Sequence, residues 1–429
     1  MSAFEPEPPP EPVASKNRRS SFPALRHRDF RLLWLGQIVS VTGSQMQLVA
    51  INWHVYLLTK SAFALGLVGL FRGAPIIVCS LLGGVVADAV NRKRLMLATQ
   101  SLMMISAGLL ALITVAGVSN VWPIYLLTGA AAAATAFDIP ARQALMPRLV
   151  PAKDFPNAVS LSMLMFQIGM VVGPALAGLL LAVYSPAMIY SANAVSYLAV
   201  IVALLLMRTS GQVPRVEDSV TRPVSFAALK EGLRFVWRTP IIVQTMTLDF
   251  VATFFASATA LLPIFADEVL HVGAKGLGML ASAPAIGAIV AGIFMARLGT
   301  LRHQGAILLS SIAVFGVATV AFGLSHIFWF SLLMLGTIGA ADTVSTILRQ
   351  TIRQLATPDY LRGRMTSINM MFFMGGPQLG ELEAGALAAL VGAQLSVVFG
   401  GLGCLVAVGI AMFAAKTLLN YREAPEKQL

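Results

Sequence analysis

Residues 157–183 read NAVSLSMLMFQIGMVVGPALAGLLLAV, without one charged side chain. About 20 apolar residues carry a helix across a bilayer, so this stretch is a membrane span. Its Gly173-Pro174 step, with Gly169, Ala177 and Gly178 around it, removes side-chain bulk where a neighbouring helix can approach. Upstream lies Arg142-Gln143, then Pro151, in a short basic connection. The same ordered series recurs later in the chain. Arg349-Gln350 is followed by Pro358, and the next apolar run carries Gly376-Pro377. The chain therefore reads as two parallel repeats, a plan that suits transporters because one half can rock against the other about a central site.

Working outward, apolar runs lie near 31–57, 64–87, 95–117, 121–141, 157–183 and 187–207. A second set lies near 241–265, 276–299, 305–325, 328–348, 365–390 and 394–415. Of the 30 lysines and arginines, only Lys60 and Lys275 then fall in outer loops, and only Arg72 within a span. Such lopsidedness is what the positive-inside rule requires with both termini cytoplasmic. The organisation is a tail at 1–21, a six-span half at 22–207, a charged linker at 208–240, a second six-span half at 241–418 and a tail at 419–429. The first tail, with its run EPEPPPEP, lacks the apolar core of a signal peptide and reads as disordered.

Composition agrees. The 429 residues are 57% hydrophobic and 11% charged, against roughly 25% charged in soluble domains. That excludes a soluble enzyme, a disordered chain and a nucleic-acid-binding domain. The net charge of +11 belongs to loops facing anionic lipid. Cys79 and Cys404 both sit in apolar runs and read as packing residues, with no metal or disulfide role. No phosphate-binding Gly-rich loop with Lys-Ser/Thr occurs, so neither ATP nor any cofactor is expected.

Several motifs carry a family resemblance. Gly84, Asp88 and Arg92-Lys93-Arg94, between the second and third spans, resemble the signature loop of the major facilitator superfamily. Gly169, Gly173-Pro174 and Ala177-Gly178 are similar to the fifth-span motif of its drug–proton antiporters. In the second half, three groups resemble the branch holding the enterobactin exporter and related efflux proteins. They are Asp342, Ser345 and Arg349-Gln350-Thr351; Thr357-Pro358-Asp359 with Arg362-Gly363-Arg364; and Gly380-Glu381, Glu383 and Gly385. The resemblance implies an all-α integral membrane protein with twelve transmembrane helices in two pseudo-symmetric six-helix halves. It implies a proton-coupled efflux transporter of the inner membrane, moving a small siderophore- or drug-like organic molecule, and the chain is read as working as a monomer. A solute importer and a non-transporting sensor are the alternatives.

A charge inside a span costs several kcal/mol, roughly 2.5–3.5 on insertion scales, so each one needs a partner, a wet cavity or a role. The resemblance implies that Asp88 faces the start of span eleven and that Arg92 reaches Asp138, latching the inner side. Spans two and eleven face each other in that fold. Arg72 and either Glu383 or Glu381 lie at similar depths, about 10–14 Å below the outer surface at 1.5 Å per residue. Pairing there, released by protonation, would couple protons to opening; a static ion pair is the competing reading. Asp249 and Asp342 lie in spans expected to line the cavity, with Thr245 and Ser345 nearby. They are read as proton carriers, substrate contacts or helix-packing carboxylates. In span one, Gln37, Ser44, Gln45 and Asn52 share a broad polar face expected to look into the cavity. His54, Trp53 and Tyr56 read as interfacial residues. Gly173, Pro174, Gly376 and Pro377 read as packing positions that also serve as hinges.

Overall fold

A computed structural model describes residues 22–211, 234–255, 258–298, 303–358 and 362–414. The two tails therefore lie outside the described residues, as does most of the linker. Among the described residues there are twelve long helical segments. The first six are α1 (Arg28–Thr59), α2 (Ala62–Ala89), α3 (Arg92–Val115), α4 (Trp122–Leu145), α5 (Phe155–Leu181) and α6 (Pro186–Leu206). The second six are α7 (Pro240–Phe255), α8 (Gly273–Leu298), α9 (Gln304–Gly323), α10 (Phe328–Ala356), α11 (Arg362–Val391) and α12 (Ala393–Ala414). After α7 the chain runs on through short turns at Ala258–Leu261, Leu262–Ile264 and Phe265–Val269.

Local chemistry sets the ends. Pro123, Pro156 and Pro186 stand in the first turns of α4, α5 and α6, where a missing N–H costs nothing. The Asn91 side chain caps α3 by accepting from the N–H groups of Lys93 and Arg94. Lys60 adopts φ 48° to close α1 before Ser61 caps α2. Ten segments are long and apolar enough to cross a membrane. α1 is outside that set because glutamines interrupt it, and α11 is outside it too.

The packing is duplicated. α1 lies against α5 and α6, α3 against α4 and α6, and α2 against α4. Shifting every label by six reproduces the second half: α7 against α11 and α12, α9 against α10 and α12, α8 against α10. The halves join through α2 with α11 and through α5 with α8, and the same exchange interconverts these two contacts. Glycine makes both possible. A Cβ on Gly178 would lie 2.6 Å from the Cα of Gly278, and one on Gly385 would lie 2.6 Å from the Cα of Gly66. Both junctions fall toward the end of the bundle that carries Lys60 and Lys275, away from the basic loops.

One helix corrects the sequence reading. The tenth span was expected to end near residue 348, with Arg349 and Arg353 in a loop. α10 continues to Ala356, and both arginines are buried, at 1% and 4% exposure. Arg142, also expected in a loop, lies within α4.

Candidate transport pathway

Three polar assemblies line the interior. The first joins the halves. Arg72 of α2 lies 3.6 Å from Glu381 of α11. Gly69 makes the room: a Cβ there would fall 2.5 Å from the Cβ of Glu381. Glu383, two positions on, points around the helix and is only half-buried. Of the two carboxylates left open by the sequence, Glu381 is the partner. Nearer the Lys60 end, the Tyr56 hydroxyl lies between two carboxylates, 2.7 Å from Asp267 and 2.8 Å from Glu268, and its one proton serves either. Lys60 reaches Asp267 at 2.9 Å and lies 4.1 Å above the Tyr56 ring. Tyr56 is fully buried, Trp53 is buried, and His54 is buried against the Tyr190 hydroxyl at 3.2 Å. His54 and Tyr56 are thus inter-helix contacts and Trp53 a buried core residue, not the interfacial residues expected.

The second assembly sits inside the second half. Arg349 of α10 lies 3.0 Å from Asp249 of α7 and 3.6 Å from Asp342 of its own helix. Arg353 lies 3.5 Å from the other oxygen of Asp249. Thr346 accepts a further hydrogen bond from Arg349 at 2.9 Å. Buried charges persist only when paired, and here two carboxylates meet two guanidinium groups. Asp342 differs from the rest, because 47% of its side chain is exposed. Ser345 is buried beside the cluster with its hydroxyl unpaired, whereas Thr245 is fully buried and donates to the Ile242 carbonyl. Thr245 therefore packs α7 instead of lining a cavity.

The third assembly is a cavity of about 680 Å³ in the wall of the first half. Gln37, Ser44 and Gln45 line it, as expected from the polar face of α1; Asn52 is half-buried and does not. Ser44 meets the Tyr197 hydroxyl at 3.0 Å, and Gln45 contacts the Met170 sulfur. The cavity runs from Arg72 to Arg142, which donates to the Gln37 side-chain oxygen at 2.6 Å. Asp138 takes its hydrogen bonds from Thr99 and Gln100 of α3, at 3.1 and 3.0 Å, instead of from Arg92. Arg92 donates to the Ala144 carbonyl at 3.1 Å. The Asp88 side chain lies outside the described residues. Gly173 admits α1, since a Cβ there would lie 2.5 Å from that of Gln45; Gly376 admits Thr253 of α7 in the corresponding place. Pro174 and Pro377 stand beside these contacts inside α5 and α11.

Arg349, Arg353, Arg142, Gln100 and Thr128 are the interior residues that sequence reasoning missed or misplaced. The helical period offered a signal for the arginines: Asp342, Arg349 and Arg353 follow at intervals that keep them on one face.

A duplicated helical bundle, joined at one end by two glycine contacts and holding buried paired charges and an interior cavity, defines a membrane transporter of the major facilitator fold. The comparisons with known proteins agree. The chain belongs to the transmembrane secretion effector family, whose model matches residues 19–426. It is 25% identical over 399 residues to the enterobactin exporter EntS of Escherichia coli (strain K12), covering 93% of this chain and 94% of that protein. The corresponding protein of Shigella boydii serotype 18 is equally similar. Among solved structures, a bacterial homolog of the human lysosomal transporter Spinster, inward-facing and unoccupied, superposes with a TM-score of 0.71 at 15% identity, over 92% of this chain and 99% of that one. A POT family transporter in complex with 5-aminolevulinic acid superposes at 0.70 with 12% identity, over 91% and 97%.

Proposed function

We propose that this chain is a proton-coupled exporter of a small siderophore- or drug-like organic molecule in the inner membrane, working by alternating access as a monomer. The observation that carries the reading is the Arg72–Glu381 pair at 3.6 Å, because it spans the two halves at the end where they touch. A carboxylate there holds the halves together by charge; protonated, it loses the attraction and the junction loosens. The Tyr56 and Lys60 contacts with Asp267 and Glu268 form a second closure further out. With the basic end cytoplasmic, this arrangement is the inward-facing state: outer contacts made, cavity extending toward Arg142. Asp342, exposed beside Arg349, is a second proton acceptor in this reading. Similarity to the enterobactin exporters favours outward movement of a siderophore-like cargo.

The test is purified protein in vesicles under an imposed pH gradient, screened against catecholate siderophores and lipophilic drugs. Movement that collapses when a protonophore dissipates the gradient supports the reading. Movement of a cargo at the same rate with and without the gradient refutes proton coupling.

A further inference from the structure

We infer that Arg142 forms an anion-binding subsite in the first half, and that the cargo carries an anionic oxygen group, a carboxylate or ionised phenol, which docks there. This inference rests on the exporter reading above and names the chemistry of its substrate.

The argument starts from the duplication. Arg142-Gln143 and Arg349-Gln350 occupy corresponding places in α4 and α10. Arg349 is neutralised twice, by Asp249 from the first helix of its half and by Asp342 seven positions earlier in α10. Neither acid has a counterpart in the first half. Seven positions before Arg142 stands Thr135, and α1 offers it the neutral Gln37. Among the described residues, no carboxylate lies within salt-bridge distance of Arg142. Asp138, one turn earlier in α4, is buried, and its Oδ1 is occupied by Thr99 and Gln100 of α3. Arg72, at the far end of the cavity, already has Glu381.

A second observation points to a ligand. Gln37 Nε2, on the side chain that Arg142 contacts, and Gln100 Oε1, on the side chain that bonds Asp138, are buried side-chain atoms without a hydrogen-bond partner, and both residues line the cavity that Arg142 lines. Buried polar groups are costly to leave unmade, so these two side chains, beside Arg142 and Asp138, gain a partner when a small shift turns them to a polar group in the cavity. The cavity's roughly 680 Å³ lies in the size range of small-molecule sites. A guanidinium whose described partner is a neutral amide keeps its full charge, and its planar donors match a carboxylate or phenolate oxygen. A cationic cargo in the same place would be repelled.

Two dyes sharing a xanthene core test this: carboxyfluorescein, which is anionic, and rhodamine 6G, which is cationic. Binding to the purified full-length protein is read by fluorescence polarisation. The expected result is at least tenfold tighter binding of carboxyfluorescein, with that preference lost in Arg142→Gln and largely kept in Arg142→Lys. Gln37→Glu gives an independent check, because it supplies Arg142 with the kind of partner Arg349 already has. It is expected to abolish the preference without lowering the melting temperature. Equal or tighter binding of rhodamine 6G, binding of neither dye, or a preference that both Arg142→Gln and Gln37→Glu leave intact overturns the inference. Gradient-driven export of rhodamine 6G with no anion preference would sink this inference and leave the exporter reading standing. Anion binding with gradient-independent movement of every cargo would do the reverse.

Discussion

Glu381 and Glu383 show what a single residue's direction decides. Only two positions separate them, yet Glu381 rests in the space left by Gly69 and meets Arg72, while Glu383 turns away. Glu381→Gln, which mimics the protonated acid, is expected to lower gradient-driven transport at least tenfold, about 1.4 kcal/mol in the rate-limiting step. Glu383→Gln is expected to stay within about twofold, and vesicle transport at fixed pH gradient measures both. The buried cluster makes a stability prediction. Asp249→Ala leaves Arg353 without its carboxylate and Arg349 with Asp342 alone, and removing one partner of a buried pair costs roughly 3–5 kcal/mol. Thermal unfolding in detergent should drop accordingly, and Arg353→Ala in the same protein should restore part of the loss. Depth along the helices, together with the facing of spans two and eleven that the family resemblance implies, made the Arg72 pairing legible down to two candidates. Choosing between them needed the packing of α2 on α11, which no local pattern contains.

At the level of elements, the helices were legible and their ends less so. The hydrophobic runs located each segment, but α10 runs two turns past the residue where charge seemed to stop it. A segment reading treats Arg349 as a boundary because it scores each residue alone; Asp249, supplied by α7, cancels that cost inside the bundle. The polar face of α1 was legible in the same partial way. Gln37 and Gln45 reach the cavity, whereas Tyr56, read as an interfacial anchor, is fully buried with its hydroxyl on Asp267 and Glu268. The glycine junctions give this scale its prediction. Gly385→Val places methyl groups where the Cα of Gly66 already lies within 2.6 Å of a Cβ. α2 and α11 should separate, and spin labels at Lys60→Cys and Lys275→Cys should report longer distances by pulsed electron resonance. An unchanged distance distribution would mean that the contact does not hold the halves together.

For the whole molecule, sidedness is the property on which transport direction depends. A membrane-impermeant maleimide added to intact cells should label Lys60→Cys and Lys275→Cys; labelling only after the cells are opened would invert the topology and the exporter reading with it. Moving Arg142, Arg349 and Arg353, and likewise Lys275 in the first turn of α8, from loop to helix leaves the charge asymmetry in place, because Lys60 and Lys275 still stand alone at the end of the bundle opposite the basic loops. Membrane embedding, the all-helical architecture and the family follow from the linear chain, since hydropathy, loop charge and repeated motifs act segment by segment. Which acid meets Arg72, where Arg349 finds its counter-ions and why Arg142 is left with an amide follow only from the folded bundle. Those energies belong to pairs of helices far apart in the chain, brought within hydrogen-bond reach by glycine contacts and by the arrangement of two six-helix halves.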